Sequence, residues 1–347
     1  MKKVTAKMIA EQLGISTATV DRALNNRKGV SKKTLTKVHK KAKELQYSPN
    51  RAAKFMSTQK MQTIAFILPL APSYFWDELE MEIEKSAKIY EELGIEVDIH
   101  RVYTSPTENM IPYLEQLIET NEYAAIVIAS DAAKEYVEVI NKITSMGIPI
   151  FTINTDVPDS KRIAYVGSDY YDAGYLAAEL IFLFDNNLKK VAVIRDEEDT
   201  YQMMYKQKGF LTYFENNHIK ADIEMINIRQ GGYTEKSEIK ELIESRVLEL
   251  QRFDAIYVAS GILGEVDEYW LDWADSHIIV GHDINQEIYN QLQKGVITAT
   301  ICQNPMAQAT IMLQKVTEYL SNNKTDSIEN QIVKLEIVTK ANAKYYI

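Results

Sequence analysis

At 347 residues the chain exceeds one small domain and suits two or three. Its composition, 46% hydrophobic and 25% charged, is that of a globular protein; no run of 18 uncharged apolar residues offers a membrane span, and one cysteine excludes an intrachain disulfide. The net charge of −10 hides a polarity: residues 1–60 carry 15 Lys and Arg against 3 Asp and Glu, so a head of +12 precedes a body of −22, and the head is aimed at a polyanion.

Thr5 predicts an N-cap for a short helix in which Met8, Ile9 and Leu13 recur at helical spacing, and Gly14 predicts its end, because glycine takes the left-handed backbone at no steric cost. Ser16 caps a second helix, Thr17 to Asn25, with Val20, Ala23 and Leu24 facing inward. Asn25 opens a polar turn, and Ser31 caps a third helix, Lys32 to Leu45. Three short helices with a tight glycine turn between the first two form a helix-turn-helix, whose second helix enters the major groove of DNA. Thr17, Ala18, Thr19, Asp21 and Arg22 then lie on or near its outward face. Arg22 suits a bidentate pair with guanine, and Ala18 and the Thr17 methyl suit a thymine methyl. Asp21 repels phosphate, so it either accepts from cytosine N4 or pairs with Arg22. Lys2, Lys3, Lys32, Lys33 and Lys37 read as phosphate contacts, which position without specifying. Pro49 then forces an extended link, and Asn50 caps a segment through Met56 that is too short to be a stable helix alone. It folds only against a partner and DNA, as a switch would.

From Met61 the pattern alternates apolar strands (63–68, 95–102, 124–129, 148–153, 191–194, 223–228, 255–259, 278–280 and 297–301) with helical stretches, the first of them Glu78 to Leu93. Continuous apolar strands between helices mean parallel sheets covered on both faces. About ten such units exceed one comfortable sheet, so the fold class is an all-α helix-turn-helix head followed by an α/β domain of two doubly wound parallel-sheet subdomains. Ligands bind beyond the carboxyl ends of such strands, and a cleft between two sheets is the expected site. No phosphate-binding glycine loop, nucleophile elbow or histidine pair at metal-ligand spacing occurs, so neither an enzyme nor a cofactor is expected. Cys302, in an apolar run, reads as a buried, inert thiol.

Val4-Thr5, Ala10, Gly14-Ile15-Ser16, Thr19-Val20, Arg22, Leu24-Asn25, Val30-Ser31, Thr34, Leu45, Tyr47, Pro49-Asn50 and Ala52 together resemble the DNA-binding head of the LacI/GalR family of bacterial regulators. The resemblance implies that Asn50, Arg51 and Ala53 belong to a hinge helix and that Met56 is an apolar wedge driven into a minor-groove step. Residues 62–340 resemble the effector domain of that family, the type I periplasmic sugar-binding fold, in its ribose-binding-protein-like branch. Among its signatures are Tyr165-Val166-Gly167-Ser168-Asp169 at the first crossover, Gly281-His282-Asp283 and Gln303-Asn304-Pro305. By the same resemblance the ligand-binding residues are Ser73, Phe75, Trp76, Asn154, Asp156, Lys206, Ser260, Asp283 and Gln303. Each has a plainer alternative. Phe75 and Trp76 serve equally as core, Asp283 and Gln303 as helix caps, and Asn154 and Asp156 as the shapers of a turn. Lys206 stands where the family commonly has an arginine and lacks its planar fork.

The expected domains are 1–48 for the helix-turn-helix, 49–60 for the hinge, and 61–347 for the effector domain. The last divides into an N-subdomain of 61–168 and 303–323 and a C-subdomain of 169–302 and 324–347. The resemblance implies a homodimeric repressor on palindromic operator DNA, controlled by a small sugar or polyol; a scarcity of cationic ligand groups favours a neutral sugar or cyclic polyol over a phosphorylated one. The rival reading is a sugar receptor without a DNA role, against which the basic head argues. With no signal-peptide stretch behind Met1 and no membrane partner, the expected place is the cytoplasm, at the nucleoid. No leucine heptads follow Lys340, which favours a dimer over a tetramer.

Overall fold

The computed structural model describes residues 4–24, 28–45, 47, 61–70, 72–102, 110–120, 122–130, 135–196, 200–228, 249–265, 277–321 and 328–347. The head contains α1 (Ala6–Leu13), α2 (Thr17–Leu24) and α3 (Lys32–Glu44). Each helix buries one stripe, Ile9 and Ala10, Val20 and Ala23, Val38 and Ala42, in a common core against which Leu13, Ile15 and Leu45 also pack. Gly14 takes the left-handed conformation at φ 64° and turns α1 into α2. These starts and stops agree with the sequence reading to within a residue.

The first lobe of the body is β1 (Gln62–Pro69), α4 (Ser73–Glu91), β2 (Ile95–Val102), α5 (Ile111–Thr120), β3 (Ala125–Ile128), α6 (Glu135–Ser145), β4 (Ile150–Ile153) and β5 (Tyr165–Gly167). The second is α7 (Tyr170–Phe184), β6 (Lys190–Asp196), α8 (Tyr201–Asn216), β7 (Asp222–Ile228), β8 (Ala255–Val258), a 3-10 turn at Gly261–Glu265, β9 (Ile278–His282), α9 (Gln286–Lys294) and β10 (Ala299–Cys302). The chain then returns to the first lobe in α10 (Pro305–Ser321) and β11 (Gln331–Ile332), and ends in the second with β12 (Glu336–Val338). The sheet orders are β11-β5-β4-β3-β1-β2 and β12-β10-β9-β8-β6-β7. Matched from either edge, the two lobes follow one plan. Among the described strands only β12, against β10, runs antiparallel. The central strands are buried throughout, as parallel strands under two helical layers must be.

Three features depart from the sequence reading. The first body helix starts at Ser73, not Glu78, because Phe75, Trp76, Leu79 and Ile83 form one buried helical stripe and the fixed φ of Pro72 leads into it. β5, β11 and β12 are too short, at three, two and three residues, to announce themselves as apolar runs. The third crossing between lobes also comes later than expected: Gln331 and Ile332 pair with β5 of the first lobe, so the chain passes over between β11 and β12.

The crossing of α7 and α8 governs the site below. A Cβ added at Gly174 would lie 1.8 Å from the Lys206 carbonyl oxygen, and one at Gly209 would lie 1.9 Å from that of Tyr171. Backbone cannot yield as a flexible side chain can, so these two glycines set the helix separation. Gly174→Ala is expected to lower stability by about 1–3 kcal/mol, the usual cost of overpacking, read as a lower urea midpoint with an unchanged slope.

Candidate functional site

The head offers the first surface. Thr5, Ser16 and Ser31 each accept from the backbone N–H three residues on, at 3.3, 3.1 and 3.2 Å, and so fix the starts of the three helices. With Val20 and Ala23 turned inward, α2 leaves Thr17, Ala18, Asp21 and Arg22 exposed, while Thr19 is half-buried and its hydroxyl lies 2.8 Å from that of Ser16. The exposed set is therefore contiguous and free of large apolar groups, as a groove-reading face requires. Lys32, Lys33 and Lys37 are exposed on α3. Asn25, Asn50, Arg51, Ala53 and Met56 lie outside the described residues.

The second site gathers at the carboxyl ends of the strands of both lobes. Asn154 follows β4 and Asp283 follows β9, the equivalent strand of the other lobe. Both are left-handed, at φ 63° and 62°, a conformation that short amide and carboxylate side chains tolerate. The neighbouring strand holds each in the same way: the Asn154 N–H donates to Val166 (2.9 Å) and the Asp283 N–H to Ile301 (3.0 Å). Tyr170, at the start of α7, donates to the Asn154 carbonyl oxygen at 2.5 Å and lies beneath the Lys206 ammonium, 5.7 Å from ring centre to Nζ.

Lys206 is buried, 1% exposed, and donates to the Ala259 carbonyl at 2.8 Å. Burial pulls its ammonium down to about 8, against the pull of Asp283 and Asp196, which favour the charge. Burial likewise raises the Asp283 carboxyl, opposed by Lys206 and by Gln303, whose amide nitrogen donates to both carboxylate oxygens at 3.0 and 3.1 Å. Asp283 and Gln303 are not helix caps: Asn285 caps α9, and the side chain of Asn304 accepts from Ala307 at the start of α10. Three buried side-chain oxygens here, on Ser168, Ser260 and Gln303, have no hydrogen-bond partner among the described residues. Such a group costs about 1–3 kcal/mol unless something answers it, and a molecule rich in hydroxyls can both donate and accept.

The remaining expected ligand residues sit otherwise. Asp156 is held by Arg162 through both oxygens and also accepts from Thr152 and from the Val157 N–H, so it ties down the turn after β4. Ser73 is exposed at the first position of α4. Trp76 and Phe75 are both buried in the first-lobe core, edge to face at 4.9 Å, and of the two only Phe75 also reaches the cavity described below. Tyr74, Glu78, Ser168 and Tyr170 were missed as site residues by the sequence reading. Of these Tyr74 carries a signal, in the aromatic run after the first strand, and so does Ser168, as the residue next after a crossover strand.

Residues 5–50 match the lacI family of bacterial regulatory proteins, and residues 64–324, most of the chain, match the periplasmic binding protein domain. The chain belongs to the LacI family. The sucrose operon repressor of Lactococcus lactis is 26% identical over 244 residues, covering 68% of this chain and 70% of that protein. Catabolite control protein A of Priestia megaterium is 23% identical over 93% of this chain and 95% of its own. In fold, the body resembles an ABC-transporter solute-binding protein from Burkholderia graminis, solved with D-arabinose, at a TM-score of 0.72 and 16% identity, over 82% of this chain and 96% of that one. The protein is thus a DNA-binding regulator of the LacI family, with a two-lobed effector domain. No helix among the described residues is long and apolar enough to cross a membrane.

In this LacI-family chain the lobes touch through Tyr74. Its hydroxyl, on α4, donates 3.0 Å to the Gly261 carbonyl of the other lobe, and its ring lies where a Cβ on Gly264 would meet it at 2.6 Å. Beside this contact a cavity of about 600 Å³ opens, bounded by Tyr74, Phe75 and Glu78 from one lobe and Asp283, Glu336 and Tyr346 from the other. Burial, with the charge of Asp283 second, pushes the Glu78 carboxyl up to about 7. An acid raised in the folded state favours folding fully below its ordinary value of 4.5, and that contribution is lost as pH rises through about 7. Glu78→Gln is therefore expected to raise the melting temperature relative to the parent at pH 8 but not at pH 4.5, in a differential scanning series across that range.

Proposed function

We propose that the protein represses transcription as a homodimer on near-palindromic operator DNA, and that a sugar or polyol held between its lobes alters that grip. The observation that carries the reading is the joining of two sites in one chain. A basic helix-turn-helix exposes Thr17, Ala18, Asp21 and Arg22, and behind it a cleft collects Asn154, Ser260, Asp283 and Gln303 at the ends of strands, with Lys206 reaching in from α8. Two heads reading two half-sites require two-fold symmetry. Exposed Met81 and Ile89, 62% and 71% accessible on α4 of the first lobe, support a subunit contact there. The hinge residues Asn50, Arg51, Ala53 and Met56 then connect head and body: lobe closure sets whether two hinge segments order together on DNA, and ligand and DNA affinities are reciprocally coupled. Cytoplasmic and nucleoid placement follows from this role.

Selection from a random duplex pool is expected to enrich a near-palindrome, and failure to enrich any sequence would refute operator recognition. On the selected site, Arg22→Ala is expected to weaken binding by tenfold or more and to relax preference at one base pair of each half-site, the effect of losing a bidentate contact. With about half a dozen phosphates neutralised per head, affinity should drop about a thousandfold per head between 50 and 200 mM salt, and about a millionfold for the dimer with both heads engaged. Met56→Gly is expected to weaken specific binding while leaving the affinity for effector in place, as measured by gel shift and calorimetry.

A further inference from the structure

The cavity beside Tyr74 has a chemistry that a neutral ligand does not use. Its walls carry three carboxylates, Glu78, Asp283 and Glu336, with the rings of Tyr74, Phe75 and Tyr346 among them. Among the described residues that line it there is no Lys, Arg or His. The three carboxylates come from three separate elements, α4, the end of β9 and the start of β12, and line the one cavity together with Cys302. At about 600 Å³ the space is also ample for a ligand larger than one sugar ring. Asp283 is already met by Lys206 and Gln303, but a wholly neutral ligand closing the cavity would strip water from Glu78 and Glu336 without answering them. An ammonium would instead meet opposite charge on several sides and aromatic faces that attract cations.

We propose that the molecule bound between the lobes is an amino-substituted polyol, with its hydroxyls at the strand ends and its ammonium in the side cavity against Glu78 and Glu336. This rests on reading the cleft as a polyol site. Asp283 joins the two halves of the ligand, since it faces Lys206 and Gln303 on one side and lines the cavity on the other. Because the cavity is walled by α4 of the first lobe and by the ends of β9 and β12 of the second, the ammonium bridges the lobes. It thereby adds to whatever closure the hydroxyls favour.

The test uses the full chain and matched twins: glucose with glucosamine and N-acetylglucosamine, galactose with galactosamine, and myo-inositol with an aminodeoxy-inositol. Affinities are measured by calorimetry at pH 7, and operator binding is followed alongside. In at least one pair the amine is expected to bind ten or more times tighter than its neutral twin, and N-acetylation, where included, to abolish the advantage. In the Glu78→Gln/Glu336→Gln double variant, whose folding is checked by its melting curve, the ratio within a pair is expected to fall below threefold. The ratio is the readout, and neither affinity alone decides. If neutral twins bind equally well or better and still shift operator affinity, the polyol cleft stands and the amine is refuted. An amine preference that survives the double variant refutes the cavity as its origin. If no member of the panel binds, the cleft reading and the amine fall together.

Discussion

A buried ammonium has to be answered where it sits, and much of the body is arranged around the one on Lys206. The side chain enters from α8, is capped by the end of β8 at Ala259, and feels Asp283 at the end of β9. None of this geometry holds unless α7 and α8 approach as closely as Gly174 and Gly209 allow, because Gly174 lies against the backbone of Lys206 itself. Burial disfavours the charge on both Lys206 and Asp283, and each is the other's main relief. Lys206 is held by the Ala259 carbonyl and Asp283 by the Gln303 amide, both already buried, so a ligand binding beside them meets little reorganisation.

The polar groups around this pair divide into the satisfied and the unsatisfied, and the division has a direction. Asp156 is closed off by Arg162, Thr152 and the Val157 N–H and serves the architecture of a turn. Ser168, Ser260 and the Gln303 carbonyl are buried with no partner among the described residues, and each stands just past a strand that ends at the cleft. A protein core retains few such atoms. A hydroxyl-rich occupant offers them partners, and the energy recovered would then favour the closed arrangement of the lobes.

The head was almost wholly legible from sequence because its signals are local: cap residues, a left-handed glycine and one apolar stripe per helix. The doubly wound body was legible for a similar reason, since a strand buried on both faces spells itself as an unbroken apolar run. Legibility failed where partners are distant in sequence. Phe75 and Trp76 follow a strand and look like ring-stacking residues, but their spacing with Leu79 and Ile83 places them on a buried helix face. Glu78 and Glu336 are unremarkable as letters, and only the fold brings them to one cavity from opposite lobes. β11, two residues long, is a strand only because β5 lies beside it.

The return of the chain to the first lobe also constrains the order in which the protein can be made. That lobe's core contains Ala309, Met312, Leu313, Val316, Tyr319, Leu320 and Val333 beside residues from β1 and α4. Its sheet lacks an edge until Gln331 and Ile332 arrive. During synthesis from the amino end, the earliest part of the body therefore stays unfinished until nearly the whole polypeptide has emerged, whereas the head needs nothing beyond α3 for its own core. A ribosome that stalls or stops early would release a folded helix-turn-helix attached to an unsealed body, with apolar surface still open to misassociation and to proteases.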